Sequence, residues 1–169
     1  MKVLFVCGAN VFRSQMAAQV FKDVFGAEPE VSSAGLLKRH VGKRARDVYP
    51  QKEIEILRKH GIRLPPGRCR LVSKKDMTSA DYVFVMENWM KGLLGERYPD
   101  QAGKVFLLRG FAEYAGDPEI HDVGIVTDPC VMIPYKQIEA AIKRVKRRKL
   151  LDEESLNHPR SRRYEHAAR

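Results

Sequence analysis

The sequence predicts an α/β domain in which helices cover both faces of a parallel sheet. Short apolar runs alternate along the chain with segments of helical periodicity, which is typical of that architecture. With 169 residues, the chain has the length of one domain. No internal repeat or low-complexity linker interrupts it. Ligands of such sheets bind beyond the carboxyl ends of the strands, so residues that follow strands are the first candidates for function.

The first predicted strand is Val3–Val6, a continuous apolar run with β-branched residues. The helix after it spans Ser14–Phe25, because apolar residues recur there at spacings of three and four and Gly26 ends the pattern. The Ser14 hydroxyl can either cap this helix or donate to a neighbouring thiolate. A second short strand lies in "PEVSSAG", residues 29–35.

Later elements follow the same logic. Apolar periodicity and glycine stops predict helices at Lys52–His60, Lys74–Ser79, Glu87–Tyr98 and Tyr135–Leu151, with strands in "DYVFVM" (residues 81–86) and "KVFLL" (residues 104–108). Two segments are expected to be loops: the basic stretch 36–50 and the long stretch 110–134. A loop of the second length usually carries function or is disordered.

Charge is unevenly distributed. The net charge is +10 overall, of which +4 falls in residues 1–142 and +6 in residues 143–169. We therefore expect a catalytic domain at 1–151 and a basic, poorly ordered tail at 152–169. The tail lacks the interleaved aromatic residues of a single-strand binder, which makes nucleic acid an unlikely partner. No apolar run is long enough for a membrane span and none resembles a signal peptide, so a cytoplasmic protein is expected.

The spacing of the cysteines and histidines predicts neither a metal site nor a disulfide framework. The three cysteines, Cys7, Cys69 and Cys130, form an odd, sparse set without CxxC spacing. The five histidines show no ligand spacing either. We expect no cofactor, and a cysteine at the end of a strand in a reducing compartment points instead to chemistry.

Cys7 stands where the first strand ends and a helix is about to begin. The segment "CGANVFRS", residues 7–14, has C-x5-R-S spacing. Backbone N–H groups in such a turn, together with the positive end of the helix dipole, form an anion site and favour a thiolate. The planar guanidinium of Arg13 matches two oxygens of a phosphate. Gly8 and Ala9 let the backbone approach the anion, and Asn10 tolerates left-handed backbone angles.

Together with this loop, several later segments resemble one known family. "VLFVCGANVFRSQMA", "SSAG", "HGI", "SADYVFVMEN", "KVFLL" and "TDP" are similar to landmarks of the low-molecular-weight protein-tyrosine phosphatases, a family that also contains thioredoxin-coupled arsenate reductases. The resemblance covers residues 1 to about 150. It implies a three-layer α/β/α fold around a four-stranded parallel sheet, and no metal cofactor.

The resemblance also implies roles for individual residues. Cys7 would be the nucleophile and Arg13 the phosphate clamp, Ser14 would assist the thiolate, and Asn10 would hold the conformation of the loop. The phosphate-binding loop would comprise Gly8, Ala9, Asn10, Val11, Phe12, Arg13 and Ser14. Its occupants would be a phosphorylated protein or small phosphomonoester and inorganic phosphate or another oxyanion.

The general acid is expected to be an Asp before the last helix. An acid is needed because the leaving oxygen must receive a proton. Asp128, which is followed by Pro129, fits the family pattern best. Asp117, which also precedes a proline, and Asp122 are the alternatives. A turn is a third interpretation of an Asp-Pro pair.

An arsenate reductase is the second interpretation of the chain. Cys130 follows the Asp128-Pro129 pair and is a candidate resolving cysteine, with thioredoxin as the partner in that case. Cys69 is expected to be an unreactive loop thiol.

Several positions depart from the family pattern. Ala9 replaces a loop glycine, where a positive φ would produce strain. Phe12 stands where many eukaryotic members have a second cysteine, which excludes a protective disulfide in the loop. Cys130 replaces the aromatic residue that usually walls the substrate ring, so stacking on phosphotyrosine is in question. Val11 resembles the tyrosine-type loop more than the phosphoarginine type, which usually has Thr.

For several residues outside the phosphate-binding loop, the sequence leaves two interpretations. Lys38, Arg39 and His40 either favour an acidic substrate or form a solvated basic loop. Trp89 is expected in the core or against a helix. Glu87 is expected to cap a helix or order the site.

Overall fold

The computed structural model describes residues 1–27, 29–122 and 128–151, with side chains described up to residue 122 and again from residue 132. The strands are β1 (Lys2–Cys7), β2 (Glu30–Gly35), β3 (Tyr82–Val85) and β4 (Val105–Leu107). The helices are α1 (Arg13–Phe25), α2 (Ala45–Val48), α3 (Gln51–Lys59), α4 (Lys74–Ser79), α5 (Asn88–Arg97), α6 (Leu108–Phe111) and α7 (Asp128–Arg147). Two short 3₁₀ helices span Lys38–His40 and Pro99–Lys104.

The four strands form one parallel sheet in the order β2-β1-β3-β4. The register places Cys7 opposite Gly35 on β2, and Val6 opposite Val85 on β3. The predicted four-stranded parallel sheet is therefore confirmed. Because β1 lies between β2 and β3, the chain segments that leave these two strands flank the segment that leaves β1.

Helices form the two outer layers. The β1-to-β2 and β3-to-β4 connections step in opposite directions across the sheet, and parallel crossovers are right-handed, so their helices lie on opposite faces. One layer contains α1 packed along α7, and the other contains α5 against β3 and β4. The predicted three-layer α/β/α fold is confirmed.

The core beneath the site is a cluster of aromatic side chains on the sheet. Phe84 stacks on Phe5 with ring centroids 5.5 Å apart, and Phe111 meets Phe84 edge-on at 5.1 Å. Phe21 of α1 closes the other side of Phe5 at 5.6 Å. Burying each such side chain contributes about 1.5–3 kcal/mol, so the strand that carries Cys7 rests on a rigid base.

The structure differs from four predictions: the bounds of the last helix, the end of the fourth strand and two expected loops. The last helix begins at Asp128, not Tyr135, and ends at Arg147. The early turns form despite Pro134, since Met132 and Pro134 are buried and their packing offsets the hydrogen bond that proline removes. The expected loops at 36–50 and 110–134 contain the short helix α2 and the first turns of α7, and α6 starts where the fourth strand was expected to end.

Two further expectations concern the chain as a whole. No helix in the described ranges is long and apolar enough to cross a membrane. The predicted basic tail, residues 152–169, lies outside the described residues.

Candidate active site

Cys7 is the last residue of β1, and its thiol lies against the start of α1. Its Sγ atom is 3.0 Å from Ser14 Oγ. The same hydroxyl accepts a hydrogen bond from Asn10 Nδ2 at 2.9 Å. That bond uses one acceptor position of the oxygen, and the Ser14 proton is free to point at the sulfur, where it would stabilise a thiolate. Ser14 does not cap the helix: α1 begins at Arg13 with no side-chain cap.

Asn10 is the centre of the loop. It is buried and has a φ of 55°, in the left-handed region that Asn tolerates. Its amide nitrogen also donates to Ser33 Oγ at 3.0 Å, and its amide oxygen accepts from the backbone N–H of Arg70 at 3.0 Å. Gln15 Nε2 donates to its carbonyl at 2.5 Å. Ala9 has no positive φ, so the strain expected from replacing a glycine there is absent.

Arg13 is the buried cation of the site, with only 5% of its side chain exposed. Nη1 donates to the Glu87 carboxylate and, at 2.9 Å, to the carbonyl of Ile120, while Nη2 donates to Asp122 Oδ2 at 3.0 Å. A guanidinium has five N–H donors. Within the described part of the chain, Nε has no protein acceptor and Nη2 has one. Nε and Nη2 carry the side-on pair of donors that matches two oxygens of a phosphate.

Carboxylates reach this guanidinium from two segments far away in sequence. Glu87 follows β3 and orders the site through Arg13, one of the two roles expected for it. Asp122 is 75% exposed and lies at the mouth of the site. Its segment is anchored by Ile120, which is buried and donates from its N–H to the carbonyl of Met86 at 2.7 Å.

Asp117 does not reach Arg13. Its carboxylate accepts from the backbone N–H of Glu119 at 2.9 Å, and this hydrogen bond is the main cause that lowers the pKa of Asp117. His121 Nε2 lies 2.9 Å from Asp117 Oδ2, and that hydrogen bond raises the pKa of His121. The side chains of Asp117, Glu119 and His121 lie close enough to group around a cation. However, His121 is hydrogen-bonded to Asp117, and Glu119 Oε1 accepts from the N–H of Asn88 at 2.6 Å.

Aromatic and apolar residues surround the loop. The Tyr49 ring packs on Phe12 with centroids 5.2 Å apart. Burial, followed by the nearby Glu53 carboxylate, raises the pKa of Tyr49, so it is a neutral phenol at physiological pH. Gln15, at the base of the loop, has a buried amide oxygen without a hydrogen-bond partner in the described structure.

Two exposed side chains flank Gly8. A Cβ on Gly8 would lie 3.6 Å from Leu37 Cδ1 and 3.9 Å from ring atoms of Trp89. Leu37 is 46% exposed and Trp89 is 45% exposed. Of the two environments expected for Trp89, the core is therefore excluded. Trp89 stands at the start of α5, beside the residue that follows Cys7.

Of the other two cysteines, the structure describes the side chain of Cys69 but not that of Cys130. Cys69 is buried beside Val11 and Ala45, and burial raises the pKa of its thiol, with Cys7 as a second cause. That environment matches the expected unreactive thiol. Asp128 and Cys130 belong to the first turn of α7, but their side chains lie outside the described residues.

The residues that sequence reasoning missed are those with no local pattern. Asp122 was only an alternative acid, and Tyr49 and Leu37 had no role assigned. Their one sequence signal is position, since each lies in a segment that follows a strand or precedes a helix near the carboxyl edge of the sheet. Only the sheet order brings these segments to the same loop.

Comparison with known proteins agrees with this geometry. The family model described as low molecular weight phosphotyrosine protein phosphatase matches residues 2–159. A Schizosaccharomyces pombe low molecular weight phosphotyrosine protein phosphatase is 33% identical, over 76% of this chain and 80% of that protein. The match to YfkJ of Bacillus subtilis, a low molecular weight protein-tyrosine-phosphatase, is 36% identical but spans 55% of that relative.

Solved structures share the same fold. The YwlE arginine phosphatase from Geobacillus stearothermophilus superposes with a TM-score of 0.74 at 27% identity, covering 93% of this chain and 96% of that one. The low molecular weight protein tyrosine phosphatase from T. tengcongensis gives 0.72 at 26% identity, covering 88% and 99%. The chain belongs to the low molecular weight phosphotyrosine protein phosphatase family.

Proposed function

We propose that the chain is a cysteine-dependent phosphomonoester hydrolase that acts on phosphotyrosine in proteins through a cysteinyl-phosphate intermediate. One observation carries this proposal. The Cys7 thiol, at the carboxyl end of β1, lies 3.0 Å from a hydroxyl that can donate to it, in the loop that ends with the buried guanidinium of Arg13. A thiolate nucleophile and a phosphate clamp are thus placed at one anion site.

The first step is phosphoryl transfer to sulfur. The phosphate enters the loop, where backbone N–H groups and the two side-on donors of Arg13 hold its oxygens. The Cys7 thiolate forms an S–P bond as the bond from phosphorus to the leaving oxygen breaks. An acid protonates that oxygen, so the alcohol leaves neutral. Glu87 and the Ile120 carbonyl hold Arg13 in place from the opposite side of its guanidinium.

The second step hydrolyses the intermediate. The carboxylate left by the first step takes a proton from water as the water oxygen attacks phosphorus and the S–P bond breaks. The products are phosphate and the Cys7 thiolate, which the Ser14 hydroxyl again stabilises. By its place in the family pattern, Asp128 is the proposed acid. Asp122 is the alternative with a described position, since its carboxylate lies beside Arg13 at the site.

Substrate choice rests on the walls beside Gly8. Since Cys130 replaces the usual aromatic wall, we assign that role to Trp89 and Leu37, which flank Gly8 and expose nearly half of their surface. An indole ring and a leucine side chain suit an aromatic ring better than a charged guanidinium. Val11 agrees with this assignment, although one of the relatives is named a protein-arginine-phosphatase.

Replacing Trp89 with Ala is expected to weaken binding of aryl phosphates. The KM for p-nitrophenyl phosphate should rise about 2- to 10-fold with kcat nearly unchanged, because a stacking contact contributes about 0.5–1.5 kcal/mol. Initial-rate kinetics on p-nitrophenyl phosphate and β-glycerophosphate check this. β-Glycerophosphate has no ring to stack, so an equal rise in its KM would show that Trp89 does not contact the substrate ring.

The variant Gly35→Ala tests how closely the loop is packed against β2. A Cβ there would lie 2.9 Å from the Ala9 carbonyl carbon, the Asn10 nitrogen and the Gly8 oxygen, all backbone atoms. The loop must shift, so we expect about a 100-fold loss of kcat/KM and a free energy of unfolding about 1–3 kcal/mol lower.

The matched control is Gly92→Ala in α5. A Cβ at Gly92 would meet no atom within 4 Å, and Ala stabilises a helix interior by about 1 kcal/mol relative to Gly. Hydrolysis rates and urea unfolding of both variants check the comparison. Full activity in Gly35→Ala would show that the loop does not depend on this contact.

The proposed function is tested with phosphopeptides of one sequence that carry phosphotyrosine, phosphoserine or phosphoarginine. Phosphate release measured for the three should be fastest for phosphotyrosine. A preference for phosphoarginine would instead make the chain a protein-arginine-phosphatase, the activity for which one relative is named. No release from any of them, or from p-nitrophenyl phosphate, would overturn the proposal.

Arsenate reduction is the second candidate and has less support. The relatives compared above are named phosphatases, and the described thiol other than Cys7 is buried. Thioredoxin consumption that requires both arsenate and Cys130 would favour it. We also propose a cytoplasmic location, since the three cysteines are sparse and lack the spacing of a disulfide framework. We further propose that residues 1–151 form one catalytic domain.

A further inference from the structure

The mouth of the loop is flanked by segments of opposite charge. The segment after β2, residues 38–47, contains five basic residues and one acidic residue: Lys38, Arg39, Lys43, Arg44, Arg46 and Asp47. On the β3 side, carboxylates are grouped: Glu87, Asp117, Glu119 and Asp122. Because β2 and β3 lie on opposite sides of β1, these two groups face each other across Cys7. We name the basic group, together with Arg68, the basic rim.

Backbone hydrogen bonds fix the basic rim to the loop. At one end, the N–H of Leu37 donates to the carbonyl of Gly8 at 2.9 Å. At the other end, Gly42 and Lys43 pair with the backbone of Cys69 through two bonds of 2.8 Å. The side chain of Arg68 donates to the carbonyl of Gly42 at 2.7 Å. The backbone that carries the positive charges is therefore fixed beside the phosphate site.

Most charges of the basic rim are not neutralised by the described protein. Arg46 lies 3.8 Å from Asp47, whereas Lys38, Arg39 and Lys43 have no described carboxylate within 4.0 Å. The field of this group is felt by His40. Its pKa is lowered first by burial and then by Arg39 and Lys43. Exposed cations without a partner, held beside a binding site, attract anionic groups of a ligand.

We propose that the basic rim binds acidic side chains next to the phosphorylated residue of a protein substrate. This inference rests on the proposed function and deepens it by naming the substrate class, acidic phosphoprotein segments. A substrate so bound lies with its acidic flank toward β2 and away from the carboxylates on the β3 side, which repel it. A segment flanked by lysines finds like charge at the basic rim. The rim carries no interleaved aromatic residues, so a peptide fits it better than a nucleic acid strand.

The experiment compares phosphotyrosine peptides of equal length whose flanking residues are Glu, Gln or Lys. At low salt, kcat/KM should be about 3- to 10-fold higher for the Glu peptide than for the Lys peptide, mainly through KM. The difference should shrink as salt is raised, since exposed charges are screened. Rates on p-nitrophenyl phosphate, which has no flanking residues, normalise each measurement.

The test variant is Lys38→Ala with Arg39→Ala, and the matched control is Lys22→Ala with Arg147→Ala. The control removes the same charge from the exposed end of α1 and the end of α7. In the test variant, the ratio of the Glu peptide to p-nitrophenyl phosphate should fall about 3-fold or more, whereas the control keeps the wild-type ratio.

Three results would overturn the inference. Equal kcat/KM values for the three peptides, with p-nitrophenyl phosphate still hydrolysed, would show that the basic rim does not bind acidic flanking residues. That result would leave the proposed function intact. An equal fall in the control variant would assign the effect to net charge. Inhibition by a DNA oligonucleotide that is lost in the test variant, without a peptide preference, would assign the rim to nucleic acid. Loss of hydrolysis of every substrate would instead reject the proposed function itself.

Discussion

Cys7→Ser is expected to lose phosphatase activity by about 10⁴-fold or more while the protein stays folded and still binds phosphate. The nucleophile of the proposed reaction is a thiolate, which the loop amides and the Ser14 hydroxyl stabilise. A serine hydroxyl remains protonated under the same conditions and is a far weaker nucleophile. Enzymes that lose their nucleophile fall by comparable factors. The change is small in volume, and the hydroxyl can hydrogen-bond to Ser14 in place of the thiol.

Cys69→Ser is the matched control for this prediction. Cys69 is buried beside Val11, and its sulfur lies 3.9 Å from the Gln15 amide nitrogen. The same substitution there should lower the free energy of unfolding by about 1–3 kcal/mol and leave kcat within a few-fold. Hydrolysis of p-nitrophenyl phosphate, urea unfolding and phosphate binding by calorimetry check both variants. Activity above about 1% in Cys7→Ser, or an equal loss in Cys69→Ser, would reject Cys7 as the nucleophile.

The loop and the fold could be predicted because their signals are local. Cys7 and Arg13 lie on the two sides of one strand-to-helix turn, so their proximity follows from the spacing and from the ends of β1 and α1. The alternation of apolar runs and helical segments likewise identifies a parallel sheet without knowledge of distant contacts. Each of these features depends on residues within one turn or one element.

The partners of Arg13 could not be predicted in the same way. Glu87, Ile120 and Asp122 are 74, 107 and 109 residues away from it in sequence. They meet because the sheet order places the end of β3 beside the end of β1, and because the N–H of Ile120 binds the carbonyl of Met86. A single sequence contains no signal for that register.

Trp89 gives another contact that is not local in sequence. It was expected in the core or against a helix, and the structure places it at the start of α5 with 45% of its surface exposed. Two of its ring atoms lie 3.9 Å from the position that a Cβ on Gly8 would take. These residues are more than eighty positions apart, and no local pattern indicates that they are neighbours.

The identity of the general acid gives the second large prediction. If Asp122, the alternative to Asp128, is the acid, Asp122→Asn is expected to lower kcat for a phosphotyrosine peptide by about 100-fold, because the leaving oxygen loses its proton donor. Its carboxylate lies at the mouth of the site and within 3.0 Å of Arg13 Nη2, so a phosphate held by Arg13 brings the leaving oxygen close to it. Asp117 is held by Glu119 and His121, and Asp117→Asn should leave kcat within a few-fold.

Asp122 also pairs with Arg13, so a loss of activity could arise from a displaced guanidinium alone. Leaving-group dependence separates the two causes. A phenol of low pKa leaves without help, so the defect of an acid variant should shrink strongly from phenyl phosphate to p-nitrophenyl phosphate. A displaced Arg13 would weaken both substrates equally and would raise KM.

Asp128→Asn, measured on the same pair of substrates, decides between the family pattern and the contact. Asp128 is the first residue of α7, and its assignment as the acid remains a prediction. If Asp122 is the acid, Asp128→Asn keeps most of the rate on phenyl phosphate. A large defect confined to the poorer leaving group in Asp128→Asn, with a uniform defect in Asp122→Asn, would make Asp128 the acid and Asp122 a positioning residue for Arg13. The pattern across leaving groups, and not the size of either loss, identifies which carboxyl transfers the proton.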